Sequence, residues 1–216
     1  MNDVCKICGN KTKELYDKRM KTLYYRCNHC EFVSKDETDY ITQEHELKIY
    51  KNHKNSIDDK KYVSYLKKFI DSALIPFIGQ AKYGLDYGSG PEPVLSQILD
   101  QDYGLQVDIY DKFFSTEEVF TGKEYDFITS TEVIEHIADP VETFQLLKNH
   151  LNHNGVLAMM TLFHPLNDEL FVKWHYNRDR SHISFFSGKT FEYLAEILDL
   201  KLIYIDSHRC VTLMKP

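Results

Sequence analysis

Four cysteines near the front of the chain constrain its folding more than any other feature. They stand as Cys5-Lys6-Ile7-Cys8 and Cys27-Asn28-His29-Cys30, with 18 residues between the pairs. Two Cys-x-x-Cys turns at that separation can converge four thiolates on one tetrahedral zinc, the spacing of a zinc ribbon. Gly9, directly after Cys8, suits the tight turn around a sulfur ligand, where φ > 0 is often needed. Between the pairs, Leu15-Tyr16 and Leu23-Tyr24-Tyr25 read as the two strands of a short hairpin. A core that small does not hold itself together, and a metal would fix it. The alternative is four buried or redox-active thiols. A redox Cys-x-x-Cys opens a helix after a strand, however, and neither pair does so. His29 could replace a cysteine as ligand, but four thiols already close the site. Cys210 stands alone in the apolar stretch Cys210-Val211-Thr212-Leu213-Met214 and reads as a core residue.

The surroundings of the cysteines support metal ligation over disulfide formation. Met1-Asn2-Asp3-Val4-Cys5 lacks the basic start and apolar core of a secretory signal. The longest apolar run, near Val156–Phe163, is broken by Thr161 and falls far short of the roughly 18 residues that span a bilayer. Both observations predict a cytoplasmic protein with no membrane partner, whose thiols stay reduced. Charge then limits what the chain grips. Residues 1–61 hold 13 basic and 11 acidic groups, whereas residues 62–216 hold 13 and 22, a balance of −9. The large C-terminal part would repel a phosphate backbone. The ribbon has seven basic and four acidic groups over residues 1–33. Four thiolates on Zn²⁺ add about −2, leaving a net charge too small for a phosphate-tracking module. Nucleic acid is thus disfavoured as a partner without being ruled out, and the ribbon reads first as a structural or substrate-facing lid.

At 216 residues the chain has room for one α/β domain with a small appendage. We divide it into a zinc ribbon over residues 1–35, a linker and amphipathic helix over 36–76, and an α/β domain over 77–216. Residues 34–57 are polar and show no core-forming period. Tyr62, Tyr65, Leu66, Phe69, Ile70 and Leu74 recur at helical spacing, predicting a helix that starts near Ser56 or Asp58 and stops at Pro76. Tyr83–Tyr87 reads as a strand running into Gly88-Ser89-Gly90-Pro91, with a helix from Pro93 to Leu99. A strand, a glycine turn and a helix N-terminus gather backbone N–H groups around a ligand. The next strand, Leu105–Tyr110, ends at Asp111, about 20 residues after the glycines, where an acid can bind both ribose hydroxyls of a nucleoside. Further strands are predicted at Tyr125–Ser130 and Val156–Thr161, and helices at Asp139–His150 and Ser187–Leu198. Asn154-Gly155 reads as a turn, and Leu202–Ile205 with Val211–Met214 as a closing hairpin. The histidines His45, His53, His150, His153, His164, His175 and His208 read as surface or hydrogen-bonded polar groups. Trp174-His175-Tyr176 reads equally well as a substrate-facing aromatic cluster or as loop packing.

Three segments carry a family resemblance. Leu85-Asp86-Tyr87-Gly88-Ser89-Gly90-Pro91 resembles the first motif of class I S-adenosylmethionine-dependent methyltransferases. The stretch Tyr125–His136 resembles their fourth-strand motif, and His182–Ser187 resembles a segment before their last long helix. The likeness spans roughly residues 58–216, and the cysteine front end is similar to that of some bacterial members. It implies a Rossmann-like doubly wound sheet with an antiparallel last strand. It also implies that Asp86, Gly88, Ser89 and Gly90 shape the pocket for the methionine end of S-adenosylmethionine, that Asp111 binds its ribose, and that Thr131 lines the wall near the methyl. Two departures stand out. Glu92 occupies the place of a third small residue, and only 14 residues, 112–125, separate Asp111 from Asp126. That is too short for the usual helix, strand and helix, so the sheet should have six strands and lack its usual edge strand, leaving the family's adenine contact unassigned.

The segment Glu132-Val133-Ile134-Glu135-His136 holds the remaining chemistry. A helical turn there would bring two carboxylates and an imidazole to one face. The arrangement resembles that of the ubiquinone-pathway O-methyltransferases and, with His182 as a fourth ligand, of the small-RNA 2′-O-methyltransferases. The resemblance implies a second divalent ion at Glu132, Glu135, His136 and His182. Otherwise His136 is a general base oriented by Glu135, or the group is a structural hydrogen-bonded cluster. Two functions stay open. One is methyl transfer to a hydroxylated acceptor, small molecule or RNA. The other is a zinc-ribbon binding module for protein or nucleic acid with a catalytically silent α/β domain. The residues set no oligomeric state.

Overall fold

A computed structural model of the chain describes residues 4–51 and 55–216; Met1, Asn2, Asp3 and His53, named above, lie outside the described residues. The large sheet has six strands: β4 (Tyr83–Tyr87), β5 (Gln106–Tyr110), β6 (Tyr125–Thr131), β7 (Leu151–Met160), β9 (Lys201–Ile205) and β10 (Cys210–Met214). Their spatial order is β5-β4-β6-β7-β10-β9. β5, β4, β6 and β7 run parallel, and β10 is antiparallel to both of its neighbours. The short stretch after Asp111 forms only a bridge to Ser115, so the edge strand is absent and the six-stranded expectation holds. Side chains of β7 alternate between two cores. Val156, Ala158 and Met160 pack with one, and Leu157 and Met159 with the other. A strand buried on both faces reads as one continuous apolar run, which is why this segment was legible.

Helices α4 (Val94–Tyr103), α5 (Pro140–Asn149) and α7 (Gly188–Ile197) cover the sheet. Phe144 of α5 and Phe191 of α7 enter one core, Ile98 and Leu99 of α4 the other. Asp139 caps α5 by accepting from the Glu142 amide at 3.3 Å, and Ser187 with Thr190 forms a capping box on α7. The expected helix before the sheet does not stop at Pro76. It runs as α2 (Lys60–Phe69), a wider π turn over Ile70–Leu74, and α3 (Ile75–Ile78) with Pro76 in its first turn. The wide turn absorbs the missing proline donor, so the chain continues instead of breaking. Its cap is Asp59, which accepts from the Lys61 and Tyr62 amides. Asn154-Gly155 is likewise no separate turn. It lies within β7, with Asn154 at φ +60° and its amide bonded to the Lys215 carbonyl.

The front of the chain departs further from the sequence reading. The hairpin of β1 (Thr12–Asp17) and β2 (Thr22–Cys27) is extended by β3 (Val33–Lys35) and then by β8 (Ser184–Phe185), a strand from the far end of the chain. Tyr24, Val33 and Phe185 form a third core there with Phe171 of helix α6 (Asp168–Lys173). Cys5, Cys27, Cys30 and Phe32 share the core of the large sheet. The stretch read as a connector also holds a helix, α1 (Gln43–Tyr50). No apolar period marks it, because its inward residues are Glu46 and Tyr50, joined by a 2.8 Å hydrogen bond from the Tyr50 hydroxyl to Glu46. No helix among the described residues is long and apolar enough to cross a membrane.

Candidate functional site

A cavity of about 630 Å³ opens beyond the carboxyl ends of β4, β5 and β6, where ligands bind in open parallel sheets. Asp86, Gly88, Ser89, Gly90, Asp111, Thr131, Glu132, Glu135, His136 and His182 all line it. Spread over almost a hundred positions of sequence, they meet because each follows a strand end or faces one.

The glycine turn is shaped by close approach. Gly88 has φ +88°, and a Cβ there would fall 2.2 Å from Val133 Cγ2, so only glycine fits. Asp111 binds the turn. Its Oδ2 accepts from the Gly90 amide at 3.0 Å, and its Oδ1 from the amides of Phe113 at 2.8 Å and Phe114 at 3.1 Å. A carboxylate offers about four lone-pair positions, so room for a further donor remains on the cavity side. The Ser89 Oγ is shut off from water and has no hydrogen-bond partner among the described residues, as expected of a group that a ligand completes. Asp86 is fully buried and accepts from the Thr129 hydroxyl at 3.0 Å. Burial raises its pKa to about 7. These features fit a nucleoside-bearing cofactor with a cationic end.

On the same cavity, Glu135, His136 and His182 offer ligand atoms within 4.8 Å of one another. Each imidazole is held by its Nδ1. That of His136 lies 3.1 Å from the Ser181 carbonyl, and that of His182 lies 2.7 Å from the Tyr176 carbonyl. A carbonyl only accepts, so both Nδ1 atoms carry the proton and both Nε2 lone pairs are left for a ligand. Burial lowers the pKa of His136 to about 3 and also lowers that of His182, which favours neutral rings. Glu135 Oε2 is buried with no partner among the described residues. Burial first, and the nearby Glu132 second, push the Glu135 carboxyl well above its usual range. One carboxylate and two imidazoles suit a divalent metal, and Asp179 Oδ2 stands 4.0 Å from His182 Nε2.

Glu132 stands beside this group, outside it. Its φ of +54° places it in a left-handed turn, and only Ile134–His136 form a helical turn, of the tight 3₁₀ kind. The single α-helical face expected over 132–136 therefore does not form. Glu132 instead accepts from the Tyr65 hydroxyl at 2.7 Å and the Tyr176 hydroxyl at 2.8 Å, and Tyr176 also contacts Glu135. Sequence reasoning misses Tyr65, which has core spacing, and Tyr50, which lies in the polar linker. Tyr50 faces His136 edge-on at 5.2 Å. Of the aromatic run, Tyr176 turns into the cavity, whereas Trp174 packs on Phe171 and Phe185.

The four thiols Cys5, Cys8, Cys27 and Cys30 also converge within 4.8 Å, with sulfur separations of 3.5 Å for Cys5–Cys30 and 3.3 Å for Cys8–Cys27. Four sulfurs about 2.3 Å from one zinc would lie roughly 3.8 Å apart, so the cluster fits that ion. Amides of Ile7 and His29 point at Cys5 and Cys27 sulfurs, each at 3.4 Å. His29 is not in the group; its ring stacks edge-on with Tyr193. Cys210 is buried in a core, as expected, and His164 is buried with Nε2 2.8 Å from the Glu31 carbonyl.

A family model described as a methyltransferase domain matches residues 59–205. Among solved structures, an O-methyltransferase family protein from Burkholderia thailandensis superposes with a TM-score of 0.53 at 12% identity, over 74% of this chain and 58% of that one. A methyltransferase from Bacillus halodurans C-125, described as putative, gives 0.51 at 14% identity, over 71% and 99%. Mitomycin 7-O-methyltransferase gives 0.52 at 14% identity, over 80% and 66%. At such identities the likeness concerns the fold. The chain spans less than two thirds of the first and third of these proteins. No curated relative matches the sequence.

Proposed function

The chain belongs to the methyltransferase domain family, and from that premise we propose that it transfers the methyl group of S-adenosylmethionine to a hydroxyl of a small acceptor. The observation that carries the acceptor end is the group of Glu135, His136 and His182, which lines the cavity with ligand atoms within 4.8 Å of one another, while both imidazole Nδ1 atoms are already taken by carbonyls. Asp86, Gly88, Ser89 and Gly90 would hold the methionine end of the cofactor, Asp111 its ribose, and Thr131 the wall beside the methyl. The cofactor supplies an electrophilic sulfonium methyl: the S–CH₃ bond breaks, an O–CH₃ bond forms, the sulfur leaves as a neutral thioether, and the hydroxyl's proton passes to the His136 imidazole, or to water if that ring holds an ion. What the protein must add is alignment of acceptor oxygen, methyl carbon and sulfur, with water excluded.

Glu135, His136 and His182 would take a divalent ion, which would make the acceptor hydroxyl easier to deprotonate. The four thiols would hold a structural zinc. Charge favours a small acceptor over RNA. Acids lining the cavity include Glu92, Glu132, Glu135 and Asp179, and its one basic side chain among the described residues, Lys112, gives its ammonium to Glu46 at 2.8 Å. Beyond the proposed ion, a phosphate would meet carboxylates with no free lysine or arginine among the described lining residues to answer it.

Calorimetric titration tests the cofactor. S-adenosylmethionine should bind, and Asp111→Ala should cost about 1.5–3 kcal/mol, the value of a charge-assisted hydrogen bond. Asp111→Asn keeps Oδ1 for the Phe113 and Phe114 amides; wild-type affinity in that variant would mean that Asp111 serves the loop and not the ribose. Absence of binding by the wild type would favour a silent domain behind a ribbon module.

A pH dependence follows from Asp86. Its pKa of about 7 lies above the ordinary value, so the free site is increasingly protonated below pH 7. A cationic methionine end favours the ionised carboxylate, so binding releases a proton at low pH. Affinity should rise as pH increases from 6 to 8 and then level off, and Asp86→Asn should flatten the profile. A flat wild-type profile over that range would remove Asp86 from the contact.

A further inference from the structure

The third ribbon strand reaches the acceptor end of the cavity through one residue. Lys35 is 3% exposed. Its backbone amide donates to the Ile183 carbonyl at 2.8 Å, and its ammonium to the Arg180 carbonyl at 2.7 Å. These two bonds bracket Ser181 and His182. The same segment is tied on its other side to the turn carrying Glu135 and His136. The Ile183 amide donates to the Glu135 carbonyl at 2.8 Å, and the Ser184 hydroxyl to the Ile137 carbonyl at 2.6 Å. Strand pairing continues the contact, with Val33 opposite Phe185 and Ser34 opposite Ser184.

The carbonyls of residues 180–183 are thus divided. Those of Arg180 and Ile183 go to Lys35, and that of Ser181 is left for the Nδ1 of His136. Without the ammonium, the Arg180 carbonyl would lose its donor, and the segment would be held by Lys35 only through the backbone. Arg180 is exposed and its bond to Lys35 half-buried, so water can take the ammonium's place on the carbonyl without fixing its position. The segment would then loosen, freeing both the His182 ring and the carbonyl that sets the His136 tautomer.

We propose that Lys35 is a positioning residue for His182 and His136, and that through it the four-cysteine ribbon is a working part of the acceptor site and not an appendage. The proposal rests on the reading that these two histidines receive a ligand. It goes beyond that reading by giving the ribbon a role in the site, since its third strand is one wall of the segment that aims the two imidazoles.

The test compares Lys35→Met, Lys35→Gln and Lys35→Arg with His182→Ala, all in the zinc-loaded full chain. Two quantities are read: amide hydrogen exchange at His182 and Ile183, and affinity for Mn²⁺, a hard ion that thiolates do not select. Lys35→Met should speed exchange at these amides at least tenfold, with β4 and β6 unaffected. It should weaken Mn²⁺ about tenfold, the low end of the loss seen when a ligand's supporting partner is removed. Zinc content and S-adenosylmethionine affinity should stay at wild-type values. Lys35→Arg, which keeps a donor at the end of a long stem, should recover part of both losses. Should Lys35→Met fail to fold, Lys35→Gln carries the same two measurements. Wild-type exchange rates in the folded variant would overturn the proposal. So would unchanged Mn²⁺ affinity, provided His182→Ala loses it. If His182→Ala also leaves Mn²⁺ unchanged, the metal reading of the site is what fails, and exchange alone then judges Lys35.

Discussion

Replacing His136 by alanine is expected to lower methyl transfer to hydroxylated acceptors by about 10²–10⁴-fold, the range in which activation of a proton-bearing nucleophile contributes. Affinity for S-adenosylmethionine should change little, because the His136 ring bonds to the Ser181 carbonyl and not to the glycine turn or Asp111. Transfer of labelled methyl to a panel of catechols and sugars, with the cofactor titrated separately, reads both quantities. Chelation decides how the group works. If Glu135, His136 and His182 hold an ion, chelation should abolish transfer in the wild type, and Mg²⁺ or Mn²⁺ should restore it; Glu135→Gln and His182→Ala should not be rescued at the same ion concentration. Activity indifferent to chelation would exclude a labile metal and leave His136 as a base. A fully active His136→Ala enzyme would sink both versions.

Zinc analysis is expected to give one ion per chain, and Cys27→Ser to bring that value close to zero. Sequence reading would confine the damage to a disordered ribbon. The structure predicts more. Cys5, Cys27 and Cys30 pack in the same core as Phe186 and Phe191, and β3 is paired with β8 directly after His182. Loss of the ion should therefore loosen the segment around residues 181–186 as well. Loss of a structural metal belongs to the exceptional class of single changes, at about 4 kcal/mol or more, which for a chain of this size lowers Tm by about 10 °C. Calorimetry, with zinc measured on the same sample, checks this. Full metal content in Cys27→Ser would remove the cysteine from the site. A Tm within about 2 °C of wild type after zinc loss would show that the ribbon is energetically separate, contrary to the shared core.

Motifs whose signal is local were legible in the chain. Strand, glycine turn and helix around Gly88 needed only neighbouring residues, as did the paired Cys-x-x-Cys turns and the apolar run of β7. The missing edge strand was legible too, because 14 residues cannot hold a crossover. Elements stabilised by partners distant in sequence were not. Helix α1 has no apolar stripe, since Glu46 answers Lys112 and Tyr50 faces His136. Tyr65 recurs at core spacing, yet its hydroxyl serves Glu132. The turn at 132–136 has carboxylates at helical spacing, but Glu132 takes a left-handed backbone and is drawn to two tyrosines, so the metal-type group contains Glu135 without it.

Local spacing thus picked out residues that the fold brings together: four thiols within reach of one another, and a glycine turn, an acid beyond it, and Glu135 with two histidines on one cavity. Tertiary structure alone decided how they are joined. Residue 35 meets residues 180 and 183 through backbone carbonyls, and a carbonyl is the same in every residue. Side-chain identity carries no record of which carbonyl a distant lysine will find, so the link between ribbon and cavity exists only in the folded chain.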